Sequence, residues 1–155
     1  MRRRIRIFGH VGKTVGYCSL AILVALYIVG AVSLTPGSLR HEVQTLPLWV
    51  PIVAGLQQRR LAKWAALPCF VFWLAVMIAI WLFLLGWARI VNGRFLPTEI
   101  AMTLVIGAAS LIGMATCVRW RTGARPVVAS GVFLLFAVLQ YLAFRLSLLP
   151  YIASR

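Results

Sequence analysis

The sequence predicts an all-α, polytopic membrane protein, and three observations carry that expectation. Hydrophobic residues make up 63% of the 155 and charged residues only 12%, with a mean hydropathy of +0.96. A soluble domain runs nearer ~45–50% apolar and ~25% charged, and would have no core large enough for this excess. The apolar residues fall into long runs separated by short basic links, as membrane-crossing helices require. Finally, the stretch from Trp64 to Trp87 holds 22 uncharged residues between its two tryptophans, flanked by Lys63 and Arg89. At 1.5 Å per residue it makes roughly 33 Å of helix, matching the ~30 Å hydrocarbon layer. A tryptophan at each end suits the headgroup boundary. One membrane domain over residues 1–155 is expected.

The first element follows a tail bearing Arg2, Arg3, Arg4, Arg6 and Lys13. This pattern suits a signal peptide, and Ala31-Val32-Ser33 could serve as its cleavage site. The apolar run is longer than such a region needs, however, and more membrane follows. A first spanning helix over about 15–34 is therefore expected, with the N-terminus cytoplasmic. Thr35-Pro36-Gly37-Ser38 predicts a turn. Leu46 to Leu56 is apolar but too short to span at ~16 Å, and Pro51 interrupts it, so an interfacial or re-entrant element over 46–56 is expected.

Gln57 to Lys63 forms a basic collar before the second span, expected over 65–87, with Pro68 in its first turn or at a kink just inside it. A polar link from Arg89 to Pro97 leads to Thr98, a candidate N-cap, and to Glu99, which complements a helix dipole. The third span is expected over 100–118. Its Ala109, Gly113 and Cys117 recur every fourth position, which lets a neighbouring helix approach closely. After a loop with Arg119, Arg121 and Arg125, the fourth span is expected over 127–149. Gln140 lies within it, suited to an interhelical hydrogen bond, and Arg145 near its end can reach the headgroups.

The basic residues bear on topology. With four crossings and a cytoplasmic N-terminus, nine Lys or Arg fall inside and seven outside; a fifth crossing by 46–56 makes this eleven and five. The positive-inside rule thus favours five crossings while segment length favours four. Four spans plus one short element is the expectation, with a fifth crossing open. Five would also set Cys18, Cys69 and Cys117 toward the reducing side.

A net charge of +14 would suggest nucleic acid in a soluble protein. Here the cations sit on termini and short links with no soluble domain beside them. Nucleic acid is therefore not an expected partner, whereas the bilayer and its anionic headgroups are. The three separated cysteines suggest neither a disulfide framework nor a zinc site. Gly9-His10-Val11-Gly12-Lys13-Thr14 ends like a phosphate loop but has two residues between its glycines where four are needed. His41-Glu42 begins like a zinc-protease motif, but Thr45 stands where the second histidine belongs. His10 and His41, at opposite ends of the first span, are badly placed to share a haem. Neither Glu42 nor Glu99 sits mid-helix as a proton carrier would. Phe70, Trp73, Met77 and Trp81 share one side of the second span, as a packing or lipid-facing stripe.

No catalytic residue, cofactor or metal site is therefore expected. Arg40, His41, Trp49, Arg59, Arg60, Lys63 and Trp64 are the candidate contacts for a lipid headgroup or another membrane protein. Ala109, Gly113, Cys117 and Gln140 are the candidates for helix packing. These features point to a small protein of the bacterial-type cytoplasmic membrane acting as an accessory or assembly subunit. The alternative is a small transporter or lipid-handling protein whose polar cavity joins Gln140 to the Arg59, Arg60 and Lys63 collar.

Overall fold

A computed structural model describes residues 2–32, 40–88 and 95–149, with side chains from His10 onward in the first stretch. The turn expected at Thr35 to Ser38, Arg89, Arg94 and the C-terminal tail lie outside the described residues. The described chain is helical throughout apart from short connections. The helices are α1 (Arg2–Val32), α2 (Arg40–Thr45), α3 (Trp49–Leu56), α4 (Ala62–Leu84), α5 (Pro97–Arg119) and α6 (Pro126–Ser147). Four of them, α4, α5, α6 and the His10–Val32 part of α1, are long and apolar enough to cross a membrane.

Helix α1 begins some thirteen residues before the expected start. Hydropathy marks where a helix enters oil, not where its hydrogen bonds begin, and the basic tail contains no proline to stop them. At the other end of α4 the helix stops three residues short of Trp87. Gly86 adopts φ +75°, its N–H reaching the Phe83 carbonyl at 3.0 Å while that of Trp87 reaches Leu82 at 2.9 Å. This paired closure is the Schellman arrangement that a glycine permits. Helix α5 starts at Pro97, so Thr98 lies inside its first turn and is not the N-cap. Leu96 holds that position, and the Glu99 carboxylate accepts its backbone N–H at 2.9 Å. Glu99 therefore acts at the helix start, as its dipole placement predicts. Pro68 is buried in α4, which continues through it.

The short apolar element is longer than its hydropathy suggests. Helix α2, a 3-10 turn over Leu46–Leu48 and α3 follow one another without a break. Together they form a rod of about 27 Å. This rod runs antiparallel to α1. A Cβ built on Gly30 would lie 3.2 Å from the His41 ring, one on Gly16 would lie 2.9 Å from the Leu56 nitrogen, and one on Gly12 3.1 Å from Gln58 Cα. The rod thus travels from the C-terminal end of α1 back toward its N-terminal end.

Its passage defines two ends of the bundle. The first carries the N-terminal half of α1, the α3–α4 connection and the loop between α5 and α6. The second carries the α1 C-terminus, α2, and the junction of α4 with α5, where Trp81 Nε1 donates to Thr103 Oγ1 at 3.0 Å. The core is continuous across α1, α4 and α5, centred on Ile22, Phe70, Cys69 and Ile106. Gly113 is the closest approach there: a Cβ would fall 2.5 Å from the Phe70 ring. Ala109, Gly113 and Cys117 are all buried, as a small-residue packing stripe requires. Of the Phe70, Trp73, Met77 and Trp81 stripe, the first three are buried packing residues and Trp81 is only partly buried.

Candidate functional site

Two groups of polar side chains stand out in this apolar bundle, one at each end, with Ser19 and Ser110 buried singly between them. At the second end, Gln140 of α6 is fully buried and its Nε2 donates to the Gln44 carbonyl of α2 at 3.3 Å. Gln44 Nε2 donates to Ser147 Oγ at 2.8 Å, and the Ser147 hydroxyl donates to the Phe144 carbonyl at 2.7 Å. This chain of bonds fastens α2 to α6. In oil such bonds persist because no water competes for the groups.

Gln140 Oε1 has no partner, and neither do the buried Arg40 Nε and His41 Nδ1 on α2. His41 lies outside the four long apolar helices. Burial, and then the neighbouring Arg40 charge, pushes its imidazole below the ordinary value, opposed by the nearby Gln44 side chain and the Glu99 carboxylate.

The first end is organised around cations. Lys63 reaches across to the C-terminus of α5, its Nζ donating to the Trp120 carbonyl at 2.7 Å and lying near the Cys117 carbonyl at 3.5 Å. The ammonium thus adds a donor to the carbonyls at the helix end, where the dipole is negative. It also stacks over the Trp64 ring at 4.4 Å, and Trp64 Nε1 donates to Thr122 Oγ1 at 3.2 Å. Lys63 and Trp64 therefore form a clamp on the α5–α6 loop.

Arg59, Arg60 and Trp49 occupy a different place, a groove between α3 and α6 with a volume of about 840 Å³. Arg125, at the start of α6, completes its basic rim, and Val50, Val53, Leu61 and Val128 line it. Arg59 Nε donates to Gln57 Oε1 at 3.2 Å. Between them Gln58 takes φ +56°, a left-handed conformation unusual for a residue with a side chain.

The seven candidate contact residues are thus divided three ways: Arg40 and His41 at the second end, Lys63 and Trp64 in the clamp, and Trp49, Arg59 and Arg60 in the groove. Gln140 lies 12 residues along α6 from the groove residue Val128, about 18 Å of helix. The structure does not bring Gln140 and the arginines into one cavity.

Two contributors were missed in the sequence. Gln44 carries no hydropathy signal and earns its role only through partners far along the chain. Gly12 and Gly16 are spaced as a GxxxG pair, a signal present in the segment that resembles a phosphate loop. They press α1 against α3: a Cβ on Gly55 would lie 2.7 Å from the Gly16 nitrogen and 3.1 Å from the Gly12 carbonyl oxygen. Among the described residues no group of three His, Cys, Asp or Glu side chains could hold a metal ion. Cys18, Cys69 and Cys117 are buried free thiols. Comparison with protein family models, with curated proteins and with solved structures finds no match to this chain.

Proposed function

We propose that this multi-pass protein is a non-catalytic accessory or assembly subunit of a larger membrane system, set in a bacterial-type cytoplasmic membrane with its N-terminus inside. The observation that supports this reading most is the use made of Gln140. The glutamine central to the carrier alternative is closed in by Gln44 and Ser147 and works as a joint between α2 and α6. A transport route would leave such a group facing a cavity. The orientation rests on the rod. If it crosses the bilayer as it crosses the bundle, eleven of sixteen cations gather at the first end, which the positive-inside rule assigns to the cytoplasm.

The test is to reconstitute the purified protein and, in parallel, to examine gently solubilised native membranes. No solute or lipid flux above protein-free vesicles is expected. In native membranes the 17.2 kDa chain should migrate within a larger hetero-assembly. Flux that disappears in Gln140→Leu would reject the reading in favour of a carrier. Side-specific thiol labelling of single cysteines introduced at Gln57 and Glu42 should mark the first as cytoplasmic and the second as external.

A further inference from the structure

We propose that the groove between α3 and α6 binds an anionic phospholipid, its phosphate among Arg59, Arg60 and Arg125 and an acyl chain along Val53, Val50 and Trp49. The shape comes first. The Gln44–Ser147 and Gln140–Gln44 bonds hold the α2 end of the rod against α6. Toward the first end, the approach of Gly55 to Gly16 draws α3 onto α1 and away from α6. A wedge opens between α3 and α6 where the rod diverges, and its volume of about 840 Å³ falls in the range of small-molecule sites. Val50, Val53 and Val128 are each about half exposed there, so the apolar wall needs a covering chain rather than water.

Charge then selects the headgroup. Three guanidinium groups share the rim, and this chain has only two carboxylates, Glu42 and Glu99. Glu42 belongs to α2 and Glu99 to the first turn of α5, both at the opposite end of the bundle. No side chain of this protein can neutralise the rim, so its counter-anion comes from outside. The donors of a guanidinium match phosphate oxygens well, and the bond from Arg59 Nε to Gln57 uses neither of its two terminal nitrogens. An anion with an acyl chain attached satisfies rim and wall together; a free phosphate satisfies only the rim. The binding does not depend on the accessory role proposed above.

Native mass spectrometry in mild detergent tests this with phosphatidylglycerol, phosphatidylcholine and soluble glycerol phosphate as probes. One phosphatidylglycerol should bind at least tenfold more tightly than phosphatidylcholine, and glycerol phosphate should not displace it. Arg60→Ala/Arg125→Ala should weaken that binding on the order of 30-fold, at roughly fivefold per arginine. Val53→Trp should weaken it by obstructing the groove with every charge retained, while Arg121→Ala, outside the groove, should leave it unchanged. An unaltered thermal transition in detergent would establish that each variant is folded. Equal binding of the two lipids, displacement by glycerol phosphate, or wild-type affinity in Val53→Trp or in the double variant would overturn the proposal.

Discussion

The two ends of the rod formed by α2 and α3 are held by opposite means. At the α2 end, side chains reach outward: Gln44 and Gln140 bridge the space to α6 with hydrogen bonds. At the α3 end, side chains are missing: Gly55 meets Gly16 with the two backbones in contact. The first joint tolerates distance and demands polar partners, whereas the second demands proximity and needs no polar group. A rod fastened this way is pulled toward α6 at one end and α1 at the other. The groove is the geometric consequence. A membrane protein can therefore open a ligand-sized gap without placing any charged residue deep in its core.

The comparison breaks most sharply at the glycine joint. Gly55→Val puts a branched side chain where the Gly16 nitrogen already lies 2.7 Å from the first carbon. Backbone cannot yield as a flexible side chain can, so a loss of about 3 kcal/mol is expected. Unfolding in detergent by graded addition of a denaturing detergent would measure it; a loss under about 1 kcal/mol would mean that α1 and α3 are not pressed together. Gly107→Val, with open space around it, serves as the matched control and should change little.

The glutamine joint should be softer. Gln140→Leu removes the bond to the Gln44 carbonyl but also removes an Oε1 that has no partner, so the two effects oppose. A net loss of about 1 kcal/mol is expected, within the range for hydrogen bonds between membrane helices. Gln44→Leu/Gln140→Leu should cost less than the two single losses added, because both act on one joint. Strict additivity in that double-mutant cycle would contradict the shared role.

At the α3 end, Gln58 offers a change in the other direction. Its φ of +56° is one that glycine adopts freely and a side chain resists. Gln58→Gly should stabilise the protein by up to about 1 kcal/mol in the same assay. Destabilisation would mean that the Gln58 side chain makes a contact worth more than the backbone strain.

Hydropathy made the four long helices legible because burial in lipid demands uninterrupted apolar residues, and no other feature of the chain is so strongly constrained. It was blind to what lies outside the oil. The basic first turns of α1 and the polar Arg40-His41-Glu42-Val43-Gln44-Thr45 of α2 are helical without being apolar, so hydropathy marked only the second half of the rod. Its first half depends on Ser147, 103 positions away, which no local pattern reveals. The every-fourth-position spacing of Ala109, Gly113 and Cys117 was legible, whereas their burial and the approach of Phe70 to Gly113 come only with the fold. The same spacing at Gly12 and Gly16 overlaps Gly12-Lys13-Thr14, residue types that also suit phosphate. The groove was half legible: Trp49, Arg59 and Arg60 stood out as a basic, aromatic cluster. Arg125 joins them only through the fold.

The smallest effect concerns acid, and it too separates the two ends. Burial and Arg40 lower the His41 imidazole in the folded protein relative to its unfolded value, so the unfolded chain binds the proton more readily. Above the ordinary histidine value of about 6.5 both states are neutral and His41 contributes no pH dependence. As pH falls through that value the unfolded state gains its proton first, and the folded protein loses stability until the lowered value is passed. The effect belongs to the α2 end, where Gly30 lies against the ring. A thermal transition measured in detergent should therefore fall between pH 7.5 and 5.5, and His41→Gln should flatten that slope. The glycine joint is a contact of backbone with backbone and not of an ionisable side chain, so hydrogen exchange at Ile52 and Gly55, corrected for the intrinsic effect of pH, should change less than exchange at Gln44 and Thr45. Equal acid sensitivity at both ends would show that the rod responds as one rigid piece and that its two fastenings are not independent.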